Sequence, residues 1–281
     1  MELYKIIWKN VFCSFLLFMI LLGFSPAVRA ETEPNHYQWN ISLNREMKGK
    51  RVKKVKKGSL LVIDAQNYSS TDIRRLHLAG YTVYSYLNIG SVEDNRSYYQ
   101  KFKKYKLKTY ENWEDEYWIN VSRKKWQNFV QNKLAKNMVN KGIDGFWVDN
   151  CDVFEYNKKR PIFNGLVKIL KNLNHYQKPI IINGGDQFVT PLIKRGQAGL
   201  IDGVVQEEVN TRISSYSGNG SFTKQRKSFK KYYENYFKLL KKHHLSVGVL
   251  EYTQNGNMKN TIKRYCKKFQ LNYCIKSTII V

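Results

Sequence analysis

Gly142-Ile143-Asp144-Gly145-Phe146-Trp147-Val148-Asp149-Asn150-Cys151-Asp152 is the stretch on which the fold turns. Its apolar run is too short for a helix and does not alternate, which suits a strand buried on both faces of a parallel sheet. The run stops at a carboxylate, a group that an apolar core does not accept unpaired. Working outward, similar β-rich runs occupy residues 60–65, 82–89 and 117–121 before it, and 179–183, 203–207, 246–252 and 278–281 after it. The segments between them carry helical spacing. Residues 122–140 place Trp126, Phe129, Val130, Leu134 and Met138 on one face, and residues 222–240 do the same with Tyr232, Tyr233, Tyr236, Phe237 and Leu240. Eight strand–helix units predict an α/β fold of the (β/α)8 TIM-barrel type, as a single domain. A doubly wound sheet would need a glycine-rich loop after its first strand, where Ala65-Gln66-Asn67-Tyr68 stands instead. The chain stops directly after the eighth strand, so residues 37–47 are expected to cover that flank.

The chain has 281 residues, 42% hydrophobic and 14% aromatic, which excludes a disordered polypeptide. Lys5 and Lys9 precede an apolar run from Val11 to Phe24, and Val28-Arg29-Ala30 offers small residues for cleavage, so residues 1–30 read as a secretory signal peptide. The run is shorter than the ~20 residues of a membrane span. The expected organisation is signal peptide 1–30, basic N-terminal segment 31–58 and barrel 59–281, in a secreted protein. The formal charge is +26, and removal of Lys5, Lys9, Arg29 and Glu2 with the leader leaves +24. Of the cysteines outside the leader, Cys266 and Cys274 suit either a disulfide or two core thiols, and Cys151 has no partner by spacing.

If the strands are placed correctly, their C-terminal ends carry Asp64, Asn88 with Glu93, Asn120, Asp149, Asn183, Glu207 and Glu251 on one rim, where barrels build their sites. Asn120, beside Ser122, reads equally well as a helix cap. Asp149 and Glu207 each end an apolar strand, and two such carboxylates on one face suit acid/base or nucleophilic chemistry. His36, His77, His175, His243 and His244 do not fall at strand ends, so neither a histidine metal site nor a Ser-His-Asp triad can be placed, and no metal or cofactor is expected. Tyr84, Tyr86, Trp113, Trp118, Trp147 and Tyr252 gather at the same ends as candidate sugar-stacking surfaces.

The run Tyr84-Ser85-Tyr86-Leu87-Asn88-Ile89-Gly90-Ser91-Val92-Glu93-Asp94-Asn95-Arg96, with residues 142–152, resembles the endo-α-1,4-polygalactosaminidase family, glycoside hydrolase family 114. The resemblance continues through Trp113, Glu116-Tyr117-Trp118-Ile119, Ile201-Asp202-Gly203-Val204-Val205-Gln206-Glu207 and Glu251-Tyr252. It implies a secreted barrel enzyme cutting galactosamine-rich polysaccharides such as biofilm matrix polymers, with Asp149 and Glu207 in catalysis. Asp64, Tyr84, Glu93, Arg96, Asp152 and Tyr252 match its cleft or support positions, and Tyr86, Trp113, Trp118, Asn183 and Glu251 complete the candidate substrate-binding set. Tyr117 and Asn120 depart from it, standing where Arg and Asp are common.

The expected reaction is endo cleavage by double displacement, Asp149 attacking the anomeric carbon and Glu207 serving as acid and then base. A non-catalytic polysaccharide- or cell-wall-binding protein on the same barrel is the alternative. Nucleic acid is not an expected partner, because the leader directs the chain out of the cell. A partly deacetylated galactosamine polymer is cationic, and a chain of +24 would repel it at long range. Either the lysine clusters therefore hold an anionic cell-wall polymer, or the substrate is N-acetylated and neutral.

Overall fold

A computed structural model describes residues 39–43, 47, 52, 55–111 and 113–279. The strands are β1 (Trp39–Ser42), β2 (Leu60–Ile63), β3 (Thr82–Asn88), β4 (Ser91–Glu93), β5 (Lys106–Tyr110), β6 (Trp113–Ile119), β7 (Gly145–Asp149), β8 (Ile180–Asn183), β9 (Gly203–Glu207), β10 (Thr211–Ser215), β11 (Ser221–Lys224), β12 (Ser246–Tyr252) and β13 (Asn272–Lys276). The main helices are α1 (Ser70–Leu78), α2 (Lys124–Phe129), α3 (Lys136–Asn140), α4 (Arg160–Asn174), α5 (Asp186–Lys194), α6 (Lys227–Lys242) and α7 (Gly256–Phe269). A π-helical turn, Val130–Ala135, joins α2 to α3.

Eight strands form one parallel sheet in the order β1-β2-β3-β7-β8-β9-β12-β13, curled into a nearly closed barrel. The expected strand count holds, but two members differ. Residues 117–121 were expected in the barrel; instead Trp113–Ile119 joins the antiparallel three-stranded sheet β4-β6-β5. Residues 278–281 were expected as the last strand, yet that strand is β13, and Thr278 and Ile279 lie in a bend after it. The flank is filled by β1, a strand from the segment expected to precede the barrel, so the barrel takes in residues before 59. Lys276 Nζ on β13 donates to Asn40 Oδ1 on β1 at 3.0 Å, bringing the two ends of the sheet together.

The barrel strands have two buried faces, which their continuous apolar runs require. One set of side chains, Trp39, Ile41, Val62, Tyr86, Trp147, Val205, Leu250, Tyr252 and Cys274, fills the barrel interior. The alternate set, including Leu61, Ile63, Leu87, Phe146, Val148, Val204 and Val249, packs outward under the helices. The period of two then decides which polar residue reaches the rim. Asp64, Asp149 and Glu207 share the inward parity of Val62, Trp147 and Val205.

Two strands share a local pattern, Ile143-Asp144-Gly145 opening β7 and Ile201-Asp202-Gly203 opening β9. Each Asp holds the neighbouring strand at the barrel's lower edge: Asp144 Oδ2 accepts from Val83 N–H at 2.7 Å and Asp202 Oδ2 from Ile180 N–H at 2.8 Å. Each Gly then admits a close neighbour. A Cβ on Gly145 would lie 2.4 Å from the Tyr84 ring, and one on Gly203 would lie 2.6 Å from Ser246 O. Cys151, Cys266 and Cys274 are buried free thiols, so Cys266 and Cys274 are not bridged.

Candidate active site

Strands β7, β8 and β9 end in the same way. Asp149, Asn183 and Glu207 point up from the interior, and the next residue leaves the strand in the left-handed region: Asn150 at φ 64°, Gly184 at 65° and Glu208 at 58°. That turn carries the chain away and leaves the preceding side chain standing at the rim. Asn and Gly adopt it readily, whereas Glu208 does so at a cost of roughly 1–2 kcal/mol. The Glu208 carboxylate accepts from Ile213 N–H at 2.6 Å, which helps to hold the turn. A Cβ on Gly90 would overlap Asn150 O at 1.7 Å, so the turn after β3 seats the one after β7.

Asn183 Nδ2 donates to both acids, to Asp149 Oδ1 at 3.1 Å and to Glu207 Oε1 at 2.7 Å. Sharing one nitrogen keeps those two oxygens less than about 6 Å apart. Tyr252 donates its hydroxyl to Glu207 Oε2 at 2.6 Å. Burial pushes the Asp149 carboxyl up to about 6, with the charge of Glu207 adding to the rise. Burial also raises Glu207, against the opposing hydrogen bonds of Tyr252 and Asn183. Burial thus raises both of these close carboxyls, and for Asp149 the neighbouring Glu207 charge raises it further.

The surrounding cleft encloses about 930 Å³. One wall comes from the β4-β6-β5 sheet, which contributes Glu93, Tyr110, Trp113, Asp115 and Glu116. The other is the β10–β11 hairpin, with Ile213 and Tyr216. Trp113 meets Tyr216 edge-on at 6.0 Å, so the walls touch across the cleft. Asp64, Glu93, Asp115, Glu116, Asp149, Asp152, Glu207 and Glu208 all line it, and among the lining residues Arg96 is the sole cation. Arg96 is already engaged, donating to Asp64 Oδ2 at 2.6 Å and to Glu93. The acids of a strongly basic chain thus gather in its cleft.

The structure brings most of the expected residues together. Asp64, Tyr86, Glu93, Arg96, Trp113, Asp152, Asn183 and Tyr252 line the cleft with Asp149 and Glu207. Three expected binding residues do not. Tyr84 sits lower in the barrel, packed over Gly145. Trp118 is buried behind the wall, stacked on Tyr110 at 4.2 Å and on Tyr156 at 6.1 Å. Glu251 has the outward parity of β12 and is fully buried, accepting from Asn210 N–H and Nδ2 and from Thr211 N–H and Oγ1, which anchors the base of the hairpin. Asn120 is a turn residue that accepts from Ser122.

Neither Glu116, which stands in a stretch carrying the resemblance, nor Glu208 was among the expected site residues. Glu116 Oε1 accepts from Asn88 Nδ2 at 2.8 Å, from Asn150 Nδ2 at 2.7 Å and from Ser91 Oγ, tying the turns after β3 and β7 to the wall strand β6. Its position one residue before the expected strand hid it, whereas Glu208 was legible as the acid following Glu207. Asp152, Glu155 and Asp186 hold carboxylate oxygens within 4.8 Å of one another, a spacing that could hold a cation. Gly185 N–H already serves Asp152, and Tyr232 serves Asp186.

Burial pushes Asp152 and Glu116 each up to about 7, with nearby Asp149 adding to both. A carboxyl whose folded value is raised binds its proton more tightly when folded, so stability is lost as pH rises from about 4 through 7. Asp149→Asn removes one such charge, and the melting temperature should rise by roughly 2–4 °C at pH 8. The gain should shrink as the pH is lowered toward 4, and identical melting of variant and parent at pH 8 contradicts the raised carboxyl.

A parallel barrel with close carboxylates at its C-terminal rim is an architecture used by glycosidases. The model of glycoside-hydrolase family GH114 matches residues 24–276, and the chain belongs to that family: it is a glycoside hydrolase. The fold is similar to that of the glycoside hydrolase domain of PelA from Pseudomonas aeruginosa, with TM-score 0.73 and 13% identity over 86% of this chain and 95% of that one. Ega3 of Aspergillus fumigatus, solved in complex with galactosamine, gives TM-score 0.66 and 18% identity over 86% and 91%. Eubacterium rectale Amy13B gives 0.54 and 9% over 86% and 65%. No curated protein matches the sequence.

Proposed function

We propose that the enzyme is an endo-acting, retaining hydrolase of α-1,4-linked galactosamine polymers, selective for units with free amines. The observation that carries this reading is the segregation of charge: eight carboxylates and one neutralised arginine line the cleft of a +26 chain. An ammonium-bearing sugar is attracted there, because the field inside a narrow cleft follows its lining rather than the distant net charge. The expected dilemma, a basic enzyme repelling a cationic substrate, is thereby eased, and the N-acetylated alternative loses its motive. Ega3, a protein of similar fold, was solved with galactosamine, in keeping with this choice.

In the mechanism, Asp149 attacks the anomeric carbon while Glu207 gives its proton to the leaving oxygen. Glu207, now ionised and held by Tyr252 and Asn183, takes a proton from the water that displaces Asp149. The volume of the cleft leaves room for several sugar units, in keeping with internal cleavage. Secretion rests on the leader-like residues 1–30, which lie outside the described residues; no described helix is long and apolar enough to cross a membrane.

The test is to incubate the purified enzyme with α-1,4-galactosamine polymers of graded acetylation, following reducing ends and the anomer first released. Oligosaccharides should form fastest from the least acetylated polymer, and the α anomer should appear first. Preference for the fully acetylated polymer would overturn the amine reading, and an initial β anomer would overturn retention. Binding with no new reducing ends would favour the polysaccharide-binding alternative.

A further inference from the structure

We propose that the outer face of α6 and α7 docks a linear phosphodiester polyanion of the cell envelope, of the poly(glycerol phosphate) kind. Helix α7 carries Lys259, Lys263, Arg264, Lys267 and Lys268, and no Asp or Glu occurs anywhere from residue 252 to the end of the chain. Helix α6 adds Lys227, Lys230, Lys231, Lys238, Lys241 and Lys242 against a single acid, Glu234. The two helices share one surface. Lys230 Nζ lies 4.1 Å over the Tyr265 ring, and Lys241 Nζ donates to Phe269 O.

None of these cations makes an ion pair with a described residue. Like charges recur four apart, at 227/231, 238/242, 259/263, 263/267 and 264/268, and each such pair disfavours its helix. A face serving solubility alone intersperses both signs, which relieves that cost. Here the acids are concentrated at the cleft, and α6 and α7 are left uncompensated, so a ligand with regularly spaced negative charge would relieve the repulsion.

The chemistry favours a phosphate polymer read only by its charge. Arg264 is the one guanidinium on the two helices, where bidentate recognition would favour several. The exposed side chains of α7 include no aromatic residue on which a base could stack, and no large apolar residue that could enter a lipid surface. The exposed rings, Phe229 and Tyr232, lie in the first two turns of α6, and Tyr232 is hydrogen-bonded to Asp186. The docking face lies outside the cleft lining, so its test is independent of which sugar is cleaved.

Binding of the chain lacking residues 1–30 to purified poly(glycerol phosphate) should weaken by roughly a hundredfold or more between about 50 and 200 mM salt. The sixfold variant Lys238→Gln, Lys242→Gln, Lys263→Gln, Arg264→Gln, Lys267→Gln and Lys268→Gln spares Lys230 and Lys241, which make structural contacts. It should bind at least about thirtyfold more weakly. A matched variant on the other flank, changing Lys124, Lys125, Lys133, Lys136, Lys168 and Lys171 to Gln, should lose less than about threefold. If the first variant unfolds, one confined to Lys263→Gln, Lys267→Gln and Lys268→Gln replaces it, with a proportionate loss expected. Salt-insensitive binding or equal loss in both flank variants overturns the proposal. So does tighter binding, through the same face, to single-stranded DNA or to anionic lipid vesicles.

Discussion

Asp149→Asn and Glu207→Gln should each slow cleavage of the polymer by at least about a thousandfold, the scale of losing a nucleophile or a general acid/base. The two losses should differ in kind. Without the nucleophile no glycosyl-enzyme forms, so Asp149→Asn should be inert toward every substrate. Glu207→Gln should retain the first step on an aryl glycoside whose leaving group needs no proton, and then stall, giving a burst of aryl alcohol followed by slow turnover. The shared amide of Asn183 makes the partner's environment a second readout, since removing one charge from beside the other should lower the remaining carboxyl. Either variant within tenfold of the parent on the polymer would refute the assignment.

Gly90→Ala should be among the most damaging single-methyl changes in the barrel. The new Cβ would sit 1.7 Å from Asn150 O and 2.6 Å from Asn150 C, both backbone atoms that no rotamer can move. Either the turn after β3 or the turn after β7 must shift, which costs on the order of 4 kcal/mol and lowers the melting temperature by roughly 10 °C. Because Asn150 follows Asp149, activity measured well below that temperature should also fall, by about a hundredfold for an ångström of misplacement. Gly199→Ala, at a site with open space and ordinary backbone, is the control and should change neither. A Gly90→Ala enzyme as stable and active as the parent would show that the two turns are not interlocked.

The acids at the ends of β7 and β9 were legible in the sequence because each closes a short, mostly apolar strand, Phe146-Trp147-Val148 before Asp149 and Val204-Val205-Gln206 before Glu207. The same reading misplaced the wall strand Trp113–Ile119, since apolarity says that a segment is buried and not which sheet it joins. It missed β1 for the opposite reason. Trp-Asn-Ile-Ser alternates, with Asn40 and Ser42 less buried than their neighbours, and is too short to stand out beside a leader and a lysine-rich stretch. Glu251 was misjudged through parity. Counting by twos along β12 from the inward Leu250 puts Tyr252 in the cleft and Glu251 outside it. The repeated Ile-Asp-Gly openings of β7 and β9 were also present in the sequence, but their meaning, a strand pinned from below and a ring or backbone packed where a Cβ would sit, needed the neighbours in view.

The meeting of β1 and β13 makes the first described strand the neighbour of the last. Seven junctions of the barrel are backbone ladders, whereas the eighth is marked by a lysine reaching one asparagine across it. The ring therefore cannot seal until β13 is available, so its closure joins strands more than 230 residues apart, the kind of long-range contact that forms late. That junction is also the natural parting line. Joining the two ends through a short linker and cutting at a surface loop elsewhere would turn the weakest joint into a covalent one, leaving the carboxylates on the far strands where they stand.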